Sequence, residues 1–64
     1  MCIATIYVND KDANESVMQD VVQMIVDNGY ISCKDILGEE KRFDATLKSV
    51  DFVKHHVVIE MHGK

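Results

Sequence analysis

Asn28 and Gly29 stand between two apolar runs, in the stretch "SVMQDVVQMIVDNGYISCKDIL", and this dipeptide constrains the fold more than any other pair in the chain. Both residues tolerate the positive φ angles of a two-residue type I′ turn, so the flanking runs are expected to fold back on each other as a β-hairpin. With these two as the loop, Asp27 faces Tyr30. Counting outwards sets Val26 opposite Ile31, Met24 opposite Cys33 and Val22 opposite Asp35. One face then carries Val22, Met24, Val26, Ile31 and Cys33, with Leu37 further along, and the other carries Gln23, Asp27, Ser32 and Lys34 among some apolar residues. A helix competes for the first run. Ala13, Val17, Val21 and Met24 fall at helical spacing, and Asp12 followed by Glu15 is a weak capping pair. The Asn-Gly signal favours the hairpin and leaves a helix over residues 13–26 as the alternative.

The other segments read in the same way. Val, Ile and Thr are frequent, proline is absent, and turn signals recur at short intervals. A first strand is expected from Cys2 to Val8, followed by the polar turn "NDKDANE". The "LGEEKRF" stretch holds a turn centred on Gly38 and a short strand from Lys41 to Phe43. Thr46 to Val53 forms a further strand, Lys54, His55 and His56 a turn, and Val57 to Met61 the last strand. Five or six short strands imply an all-β fold, a small antiparallel barrel or curled sheet. Residues 1–61 are expected to make one domain, with residues 62–64, "HGK", fraying at the end.

Size and charge narrow the function. A chain of 64 residues hides only about 60% of the surface its unfolded form exposes, so a metal, a disulfide or a partner subunit is expected to add stability. Two cysteines, Cys2 and Cys33, are too few for a disulfide scaffold. The first apolar stretch, Cys2 to Val8, is too short for a secretory signal or a membrane span, so the expected location is the cytoplasm, where thiols stay reduced. A net charge of −4 with no long run of Lys and Arg argues against nucleic acid as a partner. There is no glycine-rich phosphate loop, no HExxH pair and no CxxC. The sequence therefore reads as a binding protein, not an enzyme.

Cys2 is the residue with distinctive chemistry. The amino nitrogen of Met1, the deprotonated amide nitrogen of Cys2 and the Cys2 thiolate can close adjacent chelate rings on one ion. Such a planar nitrogen and sulfur donor set suits Ni(II) or Cu(II) over tetrahedral Zn(II), with Ni(II) the expected ion in a reducing cytoplasm. If Met1 is removed, the amine becomes that of Cys2 and the amide that of Ile3, and the thiolate is unchanged. The fourth donor is open between Cys2 of a second copy across a two-fold axis and one of His55, His56 and His62. Cys33, beside Met24 on the apolar hairpin face, reads as an inert core thiol. His55 and His56 read as a solvated turn, Met18, Met24 and Met61 as core or gap filling, and Glu39 and Glu40 as a solvated face.

Met1-Cys2 followed at once by an alternating strand, Asp20-Val21 opening a hairpin, the "LGEEK" turn and two closing strands together resemble the CooT family over residues 1 to 60. The resemblance implies a homodimer of small, mostly antiparallel β domains with an SH3-like look. It implies Ni(II) bound through the position of Cys2, and a role in maturing the nickel-containing carbon monoxide dehydrogenase, whose apo form or maturation factors would be the partners. Cys33, the His55-His56 turn and the "HGK" end depart from the family pattern. Two readings compete with a nickel chaperone or store: a small-barrel RNA-binding module, and a docking protein whose metal binding is incidental.

Overall fold

The computed structural model describes residues 3–9 and 14–62. Among the described residues, six strands and no helix follow one another: β1 (Ala4–Asn9), β2 (Asn14–Asp27), β3 (Tyr30–Asp35), β4 (Glu40–Phe43), β5 (Ala45–Asp51) and β6 (His56–Met61). They form one sheet in the order β4-β3-β2-β1-β6-β5, antiparallel except where β6 lies parallel to β1. The first and last strands are thus neighbours inside the sheet, which ties the two ends of the chain into one unit. The sheet curls until β3 approaches β5. Its concave side holds Ile6, Met18, Val21, Ile31, Cys33, Ala45, Val57 and Ile59, all buried.

The Asn28-Gly29 hairpin forms with the expected register: Asp27 pairs with Tyr30, Val26 with Ile31 and Met24 with Cys33. Gly29 takes a φ of 87°, the left-handed value the turn demands. Asp27 closes the loop, its carboxylate accepting from the Asn28 N–H (2.7 Å) and the Tyr30 hydroxyl (3.0 Å). Residues 14–26 are strand, which removes the helical alternative.

The outer part of the hairpin departs from simple counting. Val21, not Val22, lies opposite Asp35, because the register slips between Val21 and Gln23. A second irregularity sets Gln19 and Asp20 against Thr5, and Asp20 takes a left-handed φ of 57° while its carbonyl accepts the Ile36 N–H at 2.9 Å. Such bulges bend and twist a strand. They let β2 serve β1 with residues 14–21 and β3 with residues 21–27. The expected apolar face is corrected accordingly. Met18 and Val21 enter the core with Ile31 and Cys33, whereas Val22, Val26 and Leu37 are exposed.

The strand after Ala45 also ends sooner than expected, at Asp51, so Phe52 and Val53 belong to the turn. A register shift between Leu47 and Ser49 breaks the alternation there. Gly38, with φ of 89°, makes the β3–β4 turn, in which the Asp35 carboxylate accepts from the Leu37 and Glu39 N–H groups at 2.9 Å each. Among the described residues no helix is long and apolar enough to cross a membrane.

Candidate functional site

Met1 and Cys2, the expected metal ligands, lie outside the described residues. The structure does describe what surrounds the start of β1. Ala4 pairs with Val21 on one side. On the other, the Thr5 N–H donates to the His55 carbonyl at 3.0 Å, and Thr5 stands opposite His56. A shallow cleft of 180 Å³ opens here, lined by Ala4, Ile6, Val21, Val22, Gln23, Met24 and Val57.

Beside this cleft, residues 23–27 of β2 pair with β3 and Val22 sits in the bulge, and among the described residues no strand pairs with residues 22–27 on the β1 side. Val22, Ile25 and Val26 are 43%, 53% and 54% exposed along that segment. An apolar strand with unpaired backbone groups is a template for association with another chain. The sequence carried a signal for it in "VVQMIV", where apolar residues occupy both faces of the strand.

The three histidines separate by place. His55 is exposed and takes a left-handed φ of 59°. His56 is not part of a solvated turn, as the sequence implied. It begins β6, half buried, with its ring edge-on to Tyr7 (centroids 4.7 Å apart, planes at 67°) and Nε2 3.4 Å from the Tyr7 hydroxyl. His62 sits past the other end of β6, its N–H donating to the Asp44 carbonyl and its Nε2 2.6 Å from Thr46 Oγ1. Because β6 runs parallel to β1, His55 and His56 lie at the end where β1 begins. Six residues of extended chain put His62 about 20 Å away.

Cys33 is 1% exposed between Met24 and Lys41 on the neighbouring strands, and burial pushes its thiol pKa up. It is the inert core thiol the hairpin register implied. Met18 is buried and Met24 partly so, as core positions, while Met61 is exposed. Glu39 and Glu40 are exposed, with a loose ion pair from Glu40 to Lys34 at 3.9 Å. Among the described residues no group of three or more His, Cys, Asp or Glu gathers as a metal cage.

The turn between β5 and β6 is the feature that sequence reading missed, having assigned Phe52 and Val53 to a strand. Asp51 organises it: the carboxylate accepts from the Val53 and Lys54 N–H groups at 3.0 Å each. The Lys54 amide chiefly, then that of Val53 and the charges of Lys54 and His56, hold the Asp51 carboxyl below its ordinary pKa. Phe52 and Val53 are 83% and 88% exposed on this tied loop.

A family model described as "CO dehydrogenase accessory protein CooT" matches residues 1–60. The chain belongs to the CooT family. As a CooT protein it is an accessory protein of CO dehydrogenase, and the family resemblance read from Met1-Cys2 and the strand pattern holds. The fold agrees: the crystal structure of a protein assigned as CooT from Carboxydothermus hydrogenoformans superposes with a TM-score of 0.88. At 22% sequence identity that match covers 97% of this chain and 100% of the other. No protein with a curated description matches.

Proposed function

We propose that this CooT protein is a nickel carrier: two copies hold Ni(II) as cargo near their amino termini, through the Cys2 thiolate and the backbone nitrogens of Met1 and Cys2, and pass it to apo CO dehydrogenase. The observation that carries the reading is the family match, which begins at residue 1 and so takes in Met1-Cys2, on a chain that serves an enzyme as an accessory. Two features of the fold support it. β1 starts beside an apolar edge of β2 that pairs with no strand among the described residues, where a second copy would cover Val22, Ile25 and Val26. A two-fold contact at that edge would also bring the two amino termini towards each other.

The strand topology favours a fourth donor near the start of β1. His62 is at the wrong end of β6, and His56 packs on Tyr7. The remaining donors are Cys2 of the second copy and His55, whose carbonyl is bonded to Thr5. Binding requires the thiol and amide to lose protons, so affinity falls in acid.

A native-mass titration with Ni(II) tests the reading. One ion per dimer is expected, with a thiolate-to-nickel absorption, and Cys2→Ser abolishes both while the dimer folds normally. Tight nickel binding retained by Cys2→Ser would refute the site.

A further inference from the structure

The β5–β6 turn points two neighbouring apolar side chains into water. Exposed apolar residues scattered singly are ordinary, but here Phe52, one of only four aromatic residues in the chain, is adjacent to Val53 on a loop tied down by Asp51. The loop gains no burial from either side chain. It also carries His55 in a left-handed conformation where glycine would fit without strain. A fixed loop with an aromatic at its tip has the character of an anchor residue, since ordering a rigid aromatic on binding loses little entropy.

The charges around the tip give the partner its chemistry. Between residues 45 and 59 the chain carries two lysines, Lys48 and Lys54, against one carboxylate, Asp51, which is engaged with two backbone amides. The chain as a whole has a net charge of −4. An acidic partner is therefore repelled by most of the molecule and attracted at this turn, which orients the encounter. Among the described residues, a second turn with an exposed apolar side chain, at Leu37, is flanked by Asp35, Glu39 and Glu40 and has the opposite polarity.

We propose that the turn from Asp51 to His55 is a docking element that seats Phe52 and Val53 in an apolar recess rimmed by carboxylates on the CO dehydrogenase polypeptide. This rests on the reading of the chain as a carrier that meets that enzyme. Docking by this turn has a functional consequence. The His55 carbonyl is bonded to Thr5, so a partner seated on the turn lies next to the start of β1, the end from which the cargo would be released. A membrane is a poorer fit for the same chemistry. Two lysines contribute about 1 kcal/mol each at an anionic surface, and two side chains insert little apolar area.

The test uses the full chain and purified apo CO dehydrogenase, with affinity read by calorimetry. Phe52→Ala with Val53→Ala is expected to weaken binding at least tenfold. Lys48→Glu with Lys54→Glu is expected to do the same and to flatten the salt dependence. Both variants should keep the nickel stoichiometry, the thermal midpoint and the mass of the native protein, because these side chains are exposed. Unchanged enzyme binding by both variants overturns the docking site and leaves the nickel reading standing. Failure of the native protein to bind the enzyme overturns the docking site and the client together, whatever the nickel titration shows. A change in self-association in either variant assigns the turn to a contact between copies and overturns the proposal. Binding to phosphatidylglycerol vesicles that needs Phe52 and Val53, without binding to the enzyme, overturns it in favour of a membrane.

Discussion

Single residues decide the local conformation at three places in this fold. His55 is held with φ of 59°, a region that costs an ordinary residue about 1 to 2 kcal/mol, whereas glycine enters it freely but loses more entropy on folding. His55→Gly is expected to raise stability by about 0.5 to 1 kcal/mol in urea unfolding, the strain relieved exceeding the entropy lost. A loss of stability would mean that the imidazole makes up for its backbone. The two turn carboxylates set a pH dependence. Asp27 is held below its ordinary pKa by the Asn28 amide first and the Tyr30 hydroxyl second, and Asp51 by the Lys54 amide first. Both have folded values below the unfolded value of about 3.9, so their contribution is fully present above that pH and is lost as pH falls through the folded values. Asp27→Asn with Asp51→Asn is expected to flatten the fall in stability below about pH 4, measured by unfolding at a series of acid pH values. Cys33 is opposite in character. Its thiol is buried and hard to ionise, so it should resist alkylation in the native state and react only on unfolding. Cys33→Ser places a hydroxyl in the same apolar site and is expected to cost about 1 to 3 kcal/mol, read in urea, with nickel binding unchanged.

At the scale of elements, β2 is the decisive strand. Its fourteen residues serve one neighbour and then another, and the bulges at Gln19-Asp20 and near Val22 make the change of partner. Here the limits of sequence reading have a physical cause. The Asn28-Gly29 turn fixes the pairing next to it, because turn type and register are local consequences of two residues, and the pairs from Asp27–Tyr30 to Met24–Cys33 follow from it. Counting fails six residues from the turn, at Val22. A bulge there is set by the bend the whole sheet requires and by a left-handed Asp20 that no local pattern announces. The same holds for Phe52 and Val53, which continue the strand pattern of "VDFV" yet lie beyond the last pairing of β5. The reading of Cys2 rests on its place in the chain and lies outside the described residues, while the apolar edge beside β1 emerges only when β1 is seen to start at Ala4, opposite Val21. That edge carries its own prediction. With the proposed dimer formed at this edge, Val22→Lys with Val26→Lys is expected to shift the sedimentation mass from dimer to monomer at micromolar concentration with circular dichroism unchanged. A dimer that survives both lysines would move the contact between copies elsewhere.

For the whole molecule, the pairing of β1 with β6 makes folding a single event. Ile6 on the first strand and Ile59 on the last are both fully buried, two residues out of register across the same core, and neither half of the chain can complete that core alone. A domain of this size has about 5 to 15 kcal/mol of net stability at most, and truncating one of these side chains to alanine removes about 2 to 5 of it. Ile59→Ala is therefore expected to be partly unfolded at 37 °C without ligand. If the proposed site holds, nickel offers a way back, because an ion that bound the folded dimer alone would add stability in proportion to the logarithm of its concentration, about 2.7 kcal/mol at one hundred times the dissociation constant. Ni(II) is then expected to restore the native circular dichroism of Ile59→Ala, and to do nothing for the same variant carrying Cys2→Ser. Rescue of both chains would place the ion on ligands other than Cys2. Rescue of neither, with nickel still bound in the native mass spectrum, would show that the ion binds folded and unfolded chains alike and that its site is independent of the β1–β6 core.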